Sequence, residues 1–217
     1  MIERLRALFS KEVAEGRPDL VALLGLAPGE DVLVVDGETD GWSRLAADFD
    51  GAAVLRHTSE AETGLPLHER DPRRLPPREG GYAALVLVDV LDRVIDPAHS
   101  LRAAAESLAP GGRMLLLQTV APDDFDARAA WNVLARLREP QQTWTPSRRQ
   151  ARAMAAGSGL CRGDEQLWAE TVDVLAGTRH ATADLLGLFA ESLEADFQLI
   201  ESGRLSVTRM ALLLESG

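Results

Sequence analysis

The chain has little cysteine, little aromatic content and a deficit of positive charge. Its single cysteine, Cys161, excludes an internal disulfide, so we expect a reducing, cytoplasmic location and a small buried apolar role for this side chain. The formal net charge of −11 argues against binding to the phosphate backbone of nucleic acid through positive charge. The chain also lacks Cys/His spacing typical of a zinc site. No apolar run is long enough for a membrane span, and Glu3, Arg4 and Arg6 interrupt the first segment, which is therefore not a signal peptide.

What the chain does have is enough apolar sequence for one core. With 217 residues, of which 46% are hydrophobic, we expect a single domain over 1–217. Arginine far outnumbers lysine, a bias that indicates a GC-rich bacterial genome.

Strand and helix patterns alternate along the chain, which predicts an α/β fold with a parallel sheet. The strongest strand signal is the unbroken apolar run from Tyr82 to Val88, typical of a strand buried on both faces. A turn is predicted at Pro110-Gly111-Gly112. The other predicted strands are 31–35, 52–56, 113–119 and 205–214, and the predicted helices are 3–24, 42–49, 96–108 and 181–202.

Four segments carry a resemblance to a known family. From Leu26 the chain enters a buried strand and then a tight turn that opens a helix, the layout of a nucleotide-binding βα crossover. Further segments are Tyr82 to Pro97, Leu108-Ala-Pro-Gly-Gly and Trp131 to Gln142. Together they resemble the class I S-adenosylmethionine (SAM) methyltransferases, in particular those related to the menaquinone and ubiquinone C-methyltransferases.

The resemblance implies a Rossmann-like, seven-stranded, mostly parallel sheet with helices on both faces and an antiparallel C-terminal edge strand. Residues 1–24 would form an N-terminal helix, and residues 120–155 would form an insertion on the acceptor side that acts as a lid. The cofactor would bind at the loops that follow the parallel strands.

The glycine loop of the family is altered in this sequence. Aligned without a gap, the motif acid falls on Val34, and its three glycines fall on Asp36, Glu38 and Asp40. Side chains there fill the space that the methionyl part of SAM needs, and carboxylates repel its carboxylate. A one-residue shift would instead place Gly37, Thr39 and Gly41 at the glycine positions, but it requires an extra residue in the strand after Gly29.

Other residues of the resemblance also depart from the family. The acid that contacts the ribose corresponds to His57, and the acceptor-side His corresponds to Gln142. The family's His after the fourth strand corresponds to Arg93. Asp71 keeps the acid that the resemblance assigns to the adenine amino group, and Asp89 stands at a strand end where open α/β sheets bind ligands.

Each candidate also has a structural interpretation. Asp36, Glu38 and Asp40 fit solvated turn residues, and a calcium or magnesium loop lacks its remaining ligands, so no metal is expected. No catalytic residue is assigned. The candidate cofactor-binding residues are Asp36, Gly37, Glu38, Asp40, Gly41, His57, Asp71 and Asp89.

These departures favour a methyltransferase-like protein that does not methylate, with no cofactor expected. It would act through a protein partner or as a homodimer, or bind a small apolar ligand. Two alternatives are an active SAM-dependent methyltransferase on a small apolar acceptor and a repurposed SAM-independent enzyme of a biosynthetic pathway. The apolar stripes at 3–24 and 181–200 predict an association surface.

Overall fold

A computed structural model describes residues 13–14, 16–27, 30–36, 53–57, 75, 78–138, 142, 144–173, 200–201 and 204–216. At residues 53–57 and a few other strand positions, only the backbone is described. The helices are α1 (Leu20–Leu24), α2 (Pro97–Glu106), α3 (Phe125–Arg138) and α4 (Arg148–Ala156). The strands are β1 (Val13–Ala14), β2 (Asp31–Asp36), β3 (Ala53–His57), β4 (Tyr82–Val88), β5 (Leu108–Val120), β6 (Cys161–Asp173), β7 (Ile200–Glu201) and β8 (Arg204–Glu215).

All of these strands join one sheet, and the predicted α/β class is confirmed. The order is β1-β6-β8-β5-β4-β2-β3, with β7 paired to β8. Strands β2, β3, β4 and β5 are parallel, whereas β8 is antiparallel to both of its long neighbours. The antiparallel C-terminal strand therefore lies inside the sheet, between β5 and β6, rather than at its edge. In the described residues the sheet has eight strands, two of which are only two residues long.

Strand β4 is the centre of the core because apolar residues occupy both of its faces. Leu85 and Leu87 pack in one apolar cluster with residues of α2, α3 and α4. Val86 and Val88 pack in a second cluster with residues of α1. Alternate residues of a strand point to opposite faces of its sheet, so helices cover both faces of this one, as predicted.

The predicted helix over 3–24 is wrong over most of its described part and is confirmed only at its end. Val13–Ala14 is a strand paired in parallel with Leu167 and Trp168 of β6, and the helix covers only Leu20–Leu24. Glycine and proline at positions 16 and 18 separate the two elements. Asp19 then caps α1 by accepting a hydrogen bond from the Ala22 amide at 3.0 Å. Residues 1–12 lie outside the described residues.

The predicted turn at Pro110-Gly111-Gly112 is instead an irregularity within β5. Tyr82 pairs with Leu108 and Ala84 with Arg113, so β5 contains several extra residues opposite β4. Gly111 has φ of +73°, a backbone conformation that favours glycine. The chain therefore bulges without leaving the sheet.

Three further predictions from the sequence differ from the structure or fall outside its described residues. The predicted helix over 181–202 is wrong at its end, since Ile200–Glu201 pairs with β8 as a strand, and its remainder lies outside the described residues. Cys161 begins β6 and is exposed rather than buried, because it lies at the start of the strand, beyond the covered part of the sheet. The predicted helix over 42–49 also falls outside the described residues.

An arginine clamp joins the start of β5 to α1 and to the approach to β2. The Arg113 Nη2 atom lies 2.7 Å from Glu30 Oε2, and Nη1 donates to the Gly25 carbonyl. Glu30 in turn accepts from the Ala27 amide at 2.8 Å. The clamp therefore fixes the loop from which β2 begins.

We predict that Gly81→Ala destabilises the fold by at least about 3 kcal/mol, because strain and a clash combine. Gly81 has φ of +81°, and a Cβ there would lie 2.5 Å from the Ala109 amide nitrogen. Gly80→Ala is the matched control, since Gly80 has φ of +79° but open space around it, and should cost only about 1–2 kcal/mol. Urea unfolding of both variants measures the difference, and equal losses would contradict the clash.

Candidate ligand site at the carboxyl edge of the sheet

The carboxyl ends of the parallel strands meet at one edge of the sheet. Val35 of β2 pairs with His57, and Asp36 pairs with Val88, the last residue of β4. The structure thus brings the backbones of Asp36, His57 and Asp89, three of the predicted site residues, to the same edge. Open α/β sheets bind ligands at this edge.

The remaining predicted site residues lie outside the described residues. These are Gly37, Glu38, Asp40, Gly41 and Asp71. Their assignment to cofactor binding stays a prediction, and so does the interpretation of the acidic turn as either a ligand site or a solvated loop.

Asp89 lies directly after β4 in a left-handed conformation with φ of +44°. The residue is only 3% exposed, and its carboxylate is surrounded by donors from the protein. Oδ1 accepts from the Thr119 amide at 2.6 Å and from Gln118 Nε2 at 3.3 Å, while Oδ2 lies 2.5 Å from Arg209 Nη1. These contacts give the carboxylate a structural role.

The Asp89 network continues across the sheet through Arg209. Its guanidinium also donates to Thr119 Oγ1 and to Glu170 Oε2, the latter at 3.2 Å. Glu170 accepts a further bond from Trp168 Nε1 at 2.9 Å. One polar network therefore ties the loop after β4 to three neighbouring strands, β5, β8 and β6. The sequence carried one signal for it, an arginine inside an apolar strand.

A second polar cluster lies between the loop after β4 and the segment after α3. Asp92 is 1% exposed, and its Oδ2 atom accepts from Gln142 Nε2. Gln142 also donates to Thr145 Oγ1 at 3.1 Å, and the Thr145 amide donates to Asn132 Oδ1 at 2.6 Å. The residue that replaces the acceptor-side His of the resemblance is thus held by protein groups.

Comparison with known proteins identifies the fold. No protein-family model matches the chain, and no curated protein matches it. Among solved structures, a protein assigned as a methyltransferase (BH2331) from Bacillus halodurans C-125 superposes with a TM-score of 0.73 at 15% identity, covering 91% of this chain and 96% of that one. The chain has the fold of SAM-dependent methyltransferases.

Two further structures share this methyltransferase fold. The YcgJ protein from Bacillus subtilis gives a TM-score of 0.66 at 16% identity over 90% of this chain and 95% of that one. Geranyl diphosphate C-methyltransferase from Streptomyces coelicolor A3(2) gives 0.55 at 16% identity over 91% and 77%, and was crystallised with Mg²⁺, geranyl diphosphate and S-adenosyl-L-homocysteine. Identities this low establish the fold alone.

Charged groups elsewhere in this methyltransferase fold serve the structure. Glu165 of β6 lies within 2.5–3.1 Å of three guanidinium groups, those of Arg148, Arg152 and Arg162.

In the part of the chain that the structure describes, no group of three or more His, Cys, Asp or Glu residues could hold a metal ion. The same part contains no helix long and apolar enough to cross a membrane.

We predict that Asp89→Asn lowers the free energy of unfolding by about 2–4 kcal/mol, because Arg209 then faces a neutral amide in a buried site. Glu170 still compensates part of the charge, which keeps the loss below that of a fully unpaired arginine. Combining Asp89→Asn with Arg209→Met should recover part of the loss, since the pair is then removed together.

Urea unfolding measures both variants, with Asp164→Asn as the control because Asp164 is an exposed aspartate on the same sheet. The control should change stability by no more than about 0.5 kcal/mol. A loss for Asp89→Asn no larger than that of the control would contradict the structural role.

Proposed function

We propose that this chain is a methyltransferase-fold protein that does not transfer methyl groups and acts through a partner or another ligand.

Two further proposals concern the domain organisation and the location of the protein. The chain forms one domain over 1–217, since a single sheet includes strands from Val13 to Glu215. It resides in the cytoplasm, where the exposed thiol of Cys161 would stay reduced.

The observation that carries the proposal is the unbroken pairing of β2. Val32–Asp36 pairs with Ala84–Val88, and Asp31–Val35 pairs with Ala53–His57, without a shift in either ladder. The sheet does accommodate shifts elsewhere, in β5 and in β6. An extra residue in β2 would produce a bulge, so the pairing supports the ungapped alignment.

In the ungapped alignment, residues with side chains occupy all three glycine positions of the cofactor loop. Asp36 ends β2, and Glu38 and Asp40 follow it in sequence. Their bulk and negative charge oppose the methionyl part of SAM, whose carboxylate favours a helix N-terminus free of acids. The residues present therefore do not fit SAM at this loop.

The ribose side of the site supports the same proposal. His57 is the last residue of β3 and pairs with Val35, at the position of the family's ribose acid. A neutral imidazole lacks the two acceptor oxygens that bind a diol. Each lost contact is worth about 1–3 kcal/mol, so three losses would weaken a micromolar ligand to about millimolar or worse.

The second candidate function is an active SAM-dependent methyltransferase on a small apolar acceptor. The observation that favours it is that a protein of the same fold was crystallised with S-adenosyl-L-homocysteine. Asp71 and the Pro110-Gly111-Gly112 segment keep the family's residue types in this chain. A repurposed SAM-independent enzyme is the third candidate, with no separate observation in its favour.

We predict that calorimetric titration with SAM or S-adenosylhomocysteine gives no saturable binding at physiological concentration. The physical reason is the bulk and charge at Asp36, Glu38 and Asp40. Binding in the low-micromolar range would refute the non-methylating proposal and favour the active enzyme.

The matched control restores the family's residues at the altered positions. The variant Asp36→Gly, Glu38→Gly, Asp40→Gly and His57→Asp should bind S-adenosylhomocysteine at least about tenfold more tightly than the unmodified chain, if the loop alone prevents binding. A folded variant without this gain would show that the site is blocked elsewhere.

We further predict that the protein forms a homodimer, or a stable complex with a second protein, that buries at least about 1,000 Å². Two large apolar side chains near the carboxyl edge, Ile95 and Phe125, are 87% and 72% exposed and would suit such an interface. Sedimentation velocity should show a species heavier than the monomer, and Ile95→Ser with Phe125→Ser should weaken it. A monomer at high concentration, with nothing co-purifying from native extract, would contradict the association.

A further inference from the structure

We propose that the arginines around Glu165 bind a phosphate group. This arginine site is defined as Glu165 and Arg162 of β6 with Arg148 and Arg152 of α4. It shares no residue with the candidate ligand site at the carboxyl edge of the sheet. The inference therefore does not depend on whether SAM binds.

The arginine site holds more positive than negative charge. Three guanidinium groups contact the single carboxylate of Glu165, so these four residues carry two positive charges in excess. The neighbouring exposed charges, Arg149 and Asp164, have opposite signs and cancel each other. A local excess of positive charge in a chain whose formal net charge is −11 favours an anion at this place.

A β-bulge in β6 brings Arg162 to the face of the sheet that α4 covers. Arg162 pairs with Leu214, whereas Glu165 pairs with Leu212. Three steps along β6 therefore oppose two steps along β8, and without the extra residue the two β6 side chains would point to opposite faces. Leu212 and Leu214 belong to the same apolar cluster as residues of α4. The bulge thus adds a third arginine to the two that the helix supplies.

Two of the three guanidinium groups remain accessible from solvent. The side chains of Arg152 and Arg162 are 32% and 51% exposed, whereas that of Glu165 is 3% exposed. Arg152 donates from Nε to Oε2 at 2.6 Å and from Nη2 to Oε1 at 2.8 Å, so the carboxylate holds this guanidinium in a fixed orientation.

The arginines also have more donors than Glu165 can accept. Three guanidinium groups offer about fifteen N–H donors, against about four acceptor positions on one carboxylate. Guanidinium groups match the geometry of phosphate oxygens, and a phosphate dianion would neutralise the two excess charges. A phosphate group reaching the exposed side of Arg152 and Arg162 therefore fits the site in both charge and hydrogen bonding.

Calorimetric titration of the full-length protein with inorganic phosphate, at constant ionic strength, tests the site. Binding should saturate at one phosphate per chain with a Kd of about 1 mM or lower. Arg152→Gln with Arg162→Gln should weaken binding at least about tenfold, because the excess charge is lost. Arg162→Gln alone changes a half-exposed side chain, so it should stay folded and weaken binding about threefold or more.

Arg102→Gln with Arg136→Gln is the matched control, since it removes the same charge from exposed positions on α2 and α3. It should leave the Kd within about twofold of wild type, because distant surface charges are screened. A wild-type protein without saturable phosphate binding would overturn the site. So would equal weakening by the two double variants, or a folded Arg152→Gln, Arg162→Gln protein that binds as wild type does.

Two further titrations identify the anion. Glycerol 3-phosphate that binds no more tightly than inorganic phosphate would indicate a site for free phosphate, whereas tighter binding would indicate a phosphate group carried on a larger ligand. Acetate should bind at least about tenfold more weakly than phosphate, because its single charge compensates only half of the excess. Acetate binding as tight as that of phosphate would contradict the proposed match of charge.

Discussion

The buried ion pair of Asp89 and Arg209 is the interaction on which the carboxyl edge of this fold depends. Two charges removed from water are tolerated only where each also meets further partners, and here Thr119, Gln118 and Glu170 supply them. The pair joins residues 120 positions apart in the sequence. The ion pair fixes the position of the loop after β4, which forms part of the candidate site at the carboxyl edge.

Local signals explain which parts of the fold were predictable. The run Tyr82–Val88 was predicted with its observed bounds, because burial on both faces leaves a continuous apolar segment. Helix α2 begins after Asp96, at the start of the helix predicted over 96–108, because Asp96 caps the helix and Pro97 suits its first turn. Strand β1 (Val13–Ala14) was not predicted. Two residues are too few to show the alternation of apolar and polar side chains that indicates a strand, and their partner strand lies far away in the sequence.

The candidate site was predictable in position and less so in chemistry. The resemblance placed Asp36, His57 and Asp89 at strand ends, and the strand pairing brings their backbones to one edge. It could not reveal that Arg209 neutralises Asp89, since that contact depends on β8 lying between β5 and β6. Strand cores specify the sheet, whereas loops specify a ligand, so a fold can persist at 15% identity while its ligand chemistry changes.

The two polar clusters at the carboxyl edge differ in how they are built, and this difference bears on function. The Asp89 cluster joins the loop after β4 to three paired strands, β5, β8 and β6, so changing it disturbs the sheet. The Asp92 cluster joins two connecting segments through side chains rather than through a strand ladder. The Asp92 side therefore does not depend on strand pairing. That side corresponds to the acceptor side of the methyltransferase resemblance, where Gln142 occupies the position of the family's histidine.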